Sequence, residues 1–208
     1  MFVAVVPPAQ VVHDLEEFLA PRRDSGADWR WVDAGQWHLT LGFMPQVADR
    51  HLDDLGERLA RAAARRAPFD LTLAGGGAFP DPVRARVLYA AVTAGDAAAG
   101  VELARLATGV RAAATKAGAG PQGGRFRAHV TLARCRRPDE ATRWLRVLDT
   151  YRGPPWQVSQ VSLLASHLGE GPGGRPRHEV VEVYPLGRQR WDRAGPGRSP
   201  GRNPGVAG

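Results

Sequence analysis

Thiols are almost absent from this sequence, and their scarcity limits the chemistry available to it. Cys135 is the only cysteine among 208 residues, so neither an internal disulfide nor a metal site built from several thiolates can form. No apolar run approaches the roughly 18 residues that a membrane-spanning helix needs. The apolar N-terminal segment also has no basic region ahead of it. We therefore expect a cytoplasmic protein, in a reducing compartment, that makes no membrane contact.

Lysine is nearly missing as well. Lys116 is the only one, and arginine supplies the rest of the 28 cationic side chains, which exceed the 21 acidic ones and give a net charge of +7. An excess of positive charge attracts phosphate-bearing partners. A sequence rich in Arg, Ala and Gly is also what a GC-rich coding region would impose, so the charge alone leaves the partner open.

Several widespread catalytic signatures are missing too. The sequence contains no His-Glu-x-x-His segment and no cysteine pair, which argues against zinc. It has no Gly-x-Ser-x-Gly segment, which argues against a serine nucleophile. The glycine-rich stretches 75–77 and 118–124 lack the Gly-Lys-Ser/Thr ending of a phosphate-binding loop and are predicted to be ordinary loops. We expect neither a metal ion nor a cofactor.

What is present suits a folded body with a loose end. Hydrophobic residues make up 43% of the chain, which is typical of a globular protein. From residue 188 onward the sequence is mostly Arg, Gly, Pro and Ser, and such a segment cannot bury enough apolar surface to offset the entropy of ordering. We predict one domain over 1–187, made of two similar lobes, and a disordered tail over 188–208.

Hydrophobic periodicity predicts strands and helices in alternation. Strands are predicted at 1–6, 37–44, 69–73, 86–92, 125–133, 157–165 and 178–184, and helices at 10–20, 49–67, 96–116 and 138–148. Pro138 is expected in the first turn of the last helix. The pattern favours an α+β fold.

One short internal repeat stands out. His-Leu-Thr-Leu at 38–41 recurs as His-Val-Thr-Leu at 129–132, each copy inside an alternating strand. Residues two apart on a strand face the same way. Gln36, His38 and Thr40 should therefore share one face, and Trp37, Leu39, Leu41 and Phe43 the other. In the second copy Arg127, His129 and Thr131 align together, opposite Phe126, Ala128, Val130 and Leu132.

Two lobes related by a pseudo-two-fold axis would bring the polar faces together across a cleft. One neutral imidazole could then take a proton from water while the other, protonated, gives one to a departing oxygen, as in hydrolysis of a strained phosphodiester. The residues make this scheme symmetric, so His38 and His129 are interchangeable at this point. Thr40 and Thr131 can donate hydrogen bonds to phosphate oxygens, and Arg127 or Arg134 can balance the negative charge.

The other histidines have no such partner in the sequence. We expect them to be surface or packing residues: His13, His51, His167 and His178.

The paired motifs resemble those of the 2H phosphoesterase superfamily, and the chain most resembles the bacterial and archaeal RNA 2',3'-cyclic phosphodiesterases, historically called 2'-5' RNA ligases. Further landmarks in the same order are Met1 to Val5, Arg30-Trp31, Arg86 to Tyr89 and Leu163 to Leu168. The resemblance covers roughly 1–187. Ala128 stands where the family usually has Pro, and His178 where it usually has Tyr, but neither position belongs to the catalytic set.

The resemblance implies a bilobal α+β fold, with two antiparallel sheets around a central cleft and helices outside. It also implies hydrolysis of RNA 2',3'-cyclic phosphate ends to a 2'-phosphate, with His38 as proton donor and His129 as proton acceptor. Thr40 and Thr131 carry over as phosphate binders. We expect the protein to act as a monomer.

Two other functions stay open from the sequence. The same chemistry could act on a small cyclic nucleotide or on the cyclic phosphate of a sugar nucleotide, because loops choose the substrate. A non-catalytic module that binds RNA ends could keep the cleft, although such a binder would have no need of a titrating histidine pair.

Overall fold

The computed structural model describes residues 1–23 and 29–187. The strands are β1 (Phe2–Val5), β2 (Arg30–Trp31), β3 (Leu39–Phe43), β4 (Phe69–Phe79), β5 (Ala85–Ala94), β6 (His129–Asp139), β7 (Trp156–Val158), β8 (Gln160–Gly171) and β9 (Arg175–Pro185). The α-helices are α1 (Ala9–Arg23), α2 (Leu52–Ala64), α3 (Ala97–Lys116) and α4 (Thr142–Leu148), and short 3-10 turns span Ala34–Gln36, Asp49–His51 and Pro172–Gly174.

The helices form where apolar residues repeat at helical spacing. In α2, Leu55, Leu59 and Ala63 lie four residues apart and are all buried, as expected for one stripe packed on a core. Asp96 caps the start of helix α3: its side chain accepts a hydrogen bond from the Ala99 amide at 2.7 Å, which satisfies a donor that the first turn leaves free. The predicted helices are present, with ends shifted by a few residues.

The strands form a single sheet in which every neighbouring pair is antiparallel. Its order is β7-β4-β5-β6-β3-β1-β8-β9, and β2 pairs with β6 outside this path. The two halves of the sheet, β7-β4-β5-β6 and β3-β1-β8-β9, meet where β3 pairs with β6 at Leu39 and Val130. Helix α2 packs against β9, α3 packs across both halves against β3, β4 and β5, and α4 packs against β4.

The predicted α+β fold with antiparallel strands is confirmed. The two lobes are the halves of one curled sheet, joined at its centre. Such an arrangement leaves a concave face that both halves share.

Two local predictions were wrong. The glycines at 75–77 lie inside β4, with a bulge between Leu73 and Gly76, because pairing with β5 continues through them. Pro138 lies in β6, where pairing extends to Ala85 and Asp139, so α4 starts only at Thr142. In both places strand pairing overrides the local turn and helix signals.

The predicted tail, 188–208, lies outside the described residues, and the domain boundary at 187 stays a prediction. Among the described residues, no helix is both long enough and apolar enough to cross a membrane.

Candidate active site

The two repeated segments are neighbours in space. Leu39 pairs with Val130 in an antiparallel register, and both side chains are fully buried. Antiparallel pairing at this point sets each histidine opposite the threonine of the other segment. Each of the four residues is next to Leu39 or Val130 along the chain, and successive residues of a strand point to opposite faces. The face opposite the buried Leu39 and Val130 is therefore shared by His38, Thr40, His129 and Thr131, and we call it the cleft face.

The two imidazoles are anchored in the same way. Nδ1 of His38 lies 2.7 Å from the backbone oxygen of Gln36, and Nδ1 of His129 lies 2.7 Å from the backbone oxygen of Arg127. A carbonyl oxygen can only accept, so Nδ1 carries the proton and donates in both rings. Nε2 is thereby left as the atom that can bind or release a proton in each ring.

A β-bulge changes which residues of β3 reach the cleft face. Leu41 is the extra residue opposite the step from Val3 to Ala4, and a bulge of this kind interrupts the alternation of side chains. Phe43 consequently pairs with Phe2, whose ring lies on the cleft face. The prediction that Phe43 shares the apolar face with Leu41 was therefore wrong.

A matching bulge occurs in β6. Leu132 is the extra residue opposite the step from Leu88 to Tyr89, and Arg134 then pairs with Val87. Alternation restarts after the bulge, so Arg134 emerges on the cleft face together with Tyr89. Each half of the sheet thus presents one more side chain three residues after its threonine, which is Phe43 in one half and Arg134 in the other.

Aromatic rings flank both histidines. The ring of His38 stacks on Phe2 with centroids 4.6 Å apart, and the ring of His129 meets Phe79 and Tyr89 edge-on at 5.0 and 5.2 Å. These contacts fix the orientation of each imidazole, because a ring between packed neighbours has few rotamers left. The rings also shield the imidazoles from water.

Gly77 makes room for one of these aromatic rings. A Cβ at this position would overlap the ring of Tyr89, which itself stacks on Phe79 at 4.6 Å. Because Gly77 has no side chain, the ring of Tyr89, which contacts His129, can lie close to the strand. The sequence had suggested that this glycine belongs to a loop.

Burial sets the charge state of both histidines. The pKa of His38 is lowered to about 4, chiefly by desolvation and also by the positive charges of His178, Arg134 and His129, while the Gln36 hydrogen bond opposes the shift. The pKa of His129 is also lowered, first by desolvation and then by Arg134 and Arg127. With nothing bound, the cleft face therefore favours neutral imidazoles near pH 7.

The two predicted arginines lie differently with respect to this cluster. Arg134 is exposed and its charge acts on both His38 and His129. Arg127 acts on His129 alone, and its guanidinium lies 5.4 Å from the centre of the Phe79 ring. Both arginines are close enough to oppose extra positive charge on the imidazoles and to favour an anion between them.

The two threonine hydroxyls are available for binding. Thr40 and Thr131 are half-buried, and within the described part of the chain no hydrogen bond occupies either hydroxyl. The structure thus brings together the histidines, threonines and arginines that the sequence selected. Among the described residues, no three His, Cys, Asp or Glu side chains cluster as metal ligands do.

His178 is the residue that sequence reasoning missed. Its ring lies edge-on to His38 at 5.2 Å and to Phe2 at 4.9 Å, and its backbone amide donates to Oε1 of Gln36 at 3.1 Å. Because β9 is an edge strand three positions from β3, about 14 Å away in a flat sheet, the contact requires the sheet to curl. No periodicity in the sequence carries that information, and the only signal was the unusual residue at this position.

Other histidines lie where they were expected. His13 is exposed and paired with Glu17 at 3.4 Å, and His167 lies 3.4 Å from Glu179. His51 packs beside the backbone of Gly118.

Comparison with known proteins assigns the class. A family profile described as "LigT like Phosphoesterase" matches residues 5–89 and 95–173. An RNA 2',3'-cyclic phosphodiesterase from Aeropyrum pernix is 35% identical, over 78% of this chain and 93% of that protein. One from Thermus thermophilus is 33% identical, over 96% of this chain and 98% of the relative. The fold and these matches define the chain as an enzyme of the phosphoesterase class.

A solved structure agrees with that assignment. The crystal structure of E. coli LigT complexed with 3'-AMP superposes with a TM-score of 0.68 at 26% identity, covering 90% of this chain and 96% of that one. The chain belongs to the LigT-like phosphoesterase family of the 2H superfamily.

Proposed function

We propose that the protein hydrolyses the 2',3'-cyclic phosphate end of RNA to a 2'-phosphate, with His38 as proton donor, His129 as proton acceptor and no metal ion. The observation that carries this proposal is the pairing of Leu39 with Val130. It brings two identically anchored imidazoles and two hydroxyls onto one face of one sheet.

The proposed reaction is an in-line displacement at phosphorus. Nε2 of His129 takes a proton from water as the water oxygen bonds to phosphorus. The bond from phosphorus to the ribose 3'-oxygen breaks, and Nε2 of His38 gives its proton to that oxygen. The products are a 2'-phosphate and a free 3'-hydroxyl, and the two rings then exchange protons with solvent to restore the starting state.

The lowered pKa values constrain how this reaction starts. His129 is ready to accept, because a lowered pKa keeps it neutral at pH 7. His38 must be protonated to donate, and its pKa of about 4 in the free protein disfavours that form. The negative charge of a bound phosphodiester raises the pKa of a neighbouring imidazole, so substrate binding itself charges the donor. The division of roles between the two rings follows the family resemblance.

The surrounding side chains stabilise the charge that develops on phosphorus. Hydroxyls of Thr40 and Thr131 donate to the non-bridging oxygens, since each lies opposite a histidine across the strand pair. The positive charge of Arg134 acts on both imidazoles, and it stabilises the negative charge of the phosphorane. Arg127 does the same from the side of His129.

RNA as the substrate rests on the relatives. The Aeropyrum pernix and Thermus thermophilus proteins are named for RNA 2',3'-cyclic phosphates, and LigT was crystallised with a nucleotide that carries a 3'-phosphate. The proposed substrates are RNA ends or small cyclic nucleotides. The protein is proposed to act as a monomer in the cytoplasm.

The direct test is incubation with an oligoribonucleotide that ends in a 2',3'-cyclic phosphate, in excess EDTA, from pH 5 to 9. The expected result is a 2'-phosphate end, distinguished from the cyclic phosphate and from a 3'-phosphate end by chromatography against standards. A product with a 3'-phosphate would reverse the assignment of the leaving oxygen. Binding without turnover at every pH would leave only a module that holds RNA ends.

A further inference from the structure

A second cationic feature lies outside the cleft face, in the groove between α2 and α3. The groove has a volume of about 620 Å³. Six cations line it: Arg58, Arg61, Arg65, Arg66, Arg105 and Lys116. No carboxylate and no aromatic ring is among the described residues that line it. Nothing in the proposed hydrolysis uses these side chains.

The groove is built by two antiparallel helices that approach closely at small residues. Arg66 faces Glu102 at one end, a Cβ at Gly109 would touch Ala62 at 3.6 Å near the middle, and His51 lies beside Gly118 beyond the other end. From Arg105 to Lys116, α3 advances by about 16 Å. The groove is therefore elongated, with a floor of small side chains and rims of long cationic ones.

Carboxylates near the groove neutralise only part of its charge. Asp54 pairs with Arg58 at 2.8 Å and Glu57 with Arg61 at 3.1 Å. Glu102 is shared by Arg66 and Arg105.

Arg65 and Lys116 are the cations left over. Both are exposed, and within the part of the chain that the structure describes no carboxylate pairs with either. The exposed pair of Arg61 and Glu57 contributes little stability, so a phosphate can replace this carboxylate at small cost. The groove thus keeps a net positive charge along its length.

A fixed connection leads from this groove to the edge of the cleft face. Just past Lys116, the segment 118–124 runs to Phe43, where the Gln122 amide donates to the Phe43 backbone oxygen at 2.8 Å. Arg111 of α3 holds the end of that segment, donating to the backbone oxygens of Gly124 and Gly123 at 2.8 and 2.6 Å. Phe43 itself emerges on the cleft face, 43% exposed.

We propose that the α2–α3 groove binds the phosphate backbone of the RNA strand on the 5' side of the reacting end. This inference rests on the proposed function, because it gives the cleft a polymeric substrate. Guanidinium groups on two rims suit the successive phosphates of an extended strand. The absence of an aromatic ring from the lining predicts contacts to the backbone without stacking of bases.

The test compares a long and a short substrate in matched charge variants. The groove variant is Arg65→Glu with Lys116→Glu, and the control is Arg143→Glu with Arg146→Glu, two exposed arginines on α4 outside the groove. Both variants change the net charge by the same amount. The substrates are a 20-nucleotide RNA ending in a 2',3'-cyclic phosphate and a 2',3'-cyclic mononucleotide.

The groove variant should raise KM for the long RNA by about tenfold at low salt with kcat unchanged, and should lower the salt dependence of KM by about two counterions. Its kcat/KM for the mononucleotide, and all constants of the control, should stay within twofold of the unmodified protein. An equal loss in both variants, or an equal loss on both substrates, would overturn the groove site.

Failure of the proposed function would look different. The unmodified protein would then turn over neither substrate. The groove would still be judged by fluorescence anisotropy with the same RNA ending in a 3'-hydroxyl: weaker binding in the groove variant alone supports it, and equal binding by all three proteins rejects it.

Discussion

The His38 half and the His129 half of the cleft face share one backbone design. In each, a histidine donates Nδ1–H to the carbonyl two residues before it at 2.7 Å. In each, a threonine follows two residues later and a bulge comes directly after it. The same design recurs in two separate stretches of sequence, as expected if one structural element has been duplicated.

The two halves differ in what surrounds the imidazole. His38 lies against Phe2 and a third imidazole, His178, and its pKa falls to about 4. His129 lies against Phe79 and Tyr89 with arginines nearby.

The side chain that reaches the cleft face after each bulge also differs. It is Phe43 in the His38 half and Arg134 in the His129 half. The backbone therefore anchors both rings in the same way, and the surrounding side chains distinguish them. The proposed division into acid and base therefore depends on the side chains that the repeat does not share.

Loss of either imidazole should have the largest effect. His38→Ala and His129→Ala should each lower kcat/KM for a cyclic phosphate by at least about a hundredfold, because general acid and general base catalysis each contribute on that order. Steady-state kinetics and circular dichroism measure rate and fold. His13→Ala is the control, since that side chain is exposed on α1. Near-normal turnover by either site variant would remove that ring from the mechanism.

Loss of either hydroxyl should cost less. Thr40→Ala and Thr131→Ala should each weaken transition-state stabilisation by about 2 to 4 kcal/mol, seen in kcat more than in KM. Thr→Ser at the same positions is the matched control and should recover most of the rate. Similar losses at both positions would support equivalent halves. An effect confined to one position would show that phosphate contacts only one segment.

Much of this site could be predicted from the sequence because strand alternation is a local property. The repeat placed His38 and Thr40 on one face and predicted the same for His129 and Thr131, and the strand pairing agrees. The alternation of side chains between the two faces is interrupted at a bulge, and nothing in the sequence marks Leu41 as the extra residue of a bulge. Phe43 was consequently assigned to the wrong face.

Features that depend on curl and close packing were beyond local patterns. His178 reaches His38 only because the sheet curls over three strands, and sheet curvature has no period in the sequence. Gly77 looked like part of a loop, yet it lies in a paired strand, and the ring of Tyr89 occupies the space that a side chain there would need. In a single sequence, a glycine that is required because a neighbouring side chain is large looks the same as a glycine that is required for a turn.

The smallest expected effect is a change in the pKa of His38, which would distinguish the His38 half of the cleft face from the His129 half. His178→Phe keeps an aromatic ring beside His38 but removes a group whose positive charge lowers the pKa of that histidine. The pKa of His38 should therefore rise from about 4 toward the ordinary value, while that of His129 stays the same. Turnover at pH 7 should change by less than about fivefold. Titration of the ring Cε1 protons by NMR measures both shifts.

His51→Phe serves as the control for that titration, because His51 lies beside Gly118 and away from the cleft histidines. An unchanged pKa for His38 in the His178 variant would show that the third imidazole only fills space. A shift in His129 as large as that in His38 would mean that the halves are not distinguished by their neighbours.

Convergence of the two imidazoles on one phosphorus atom is most directly tested by a crystal structure with a bound nucleoside 2'-phosphate. The predicted result is a single phosphate whose oxygens lie within hydrogen-bond distance of Nε2 of both His38 and His129, with the hydroxyls of Thr40 and Thr131 on its remaining oxygens. A phosphate held by one imidazole while the other points elsewhere would contradict the account.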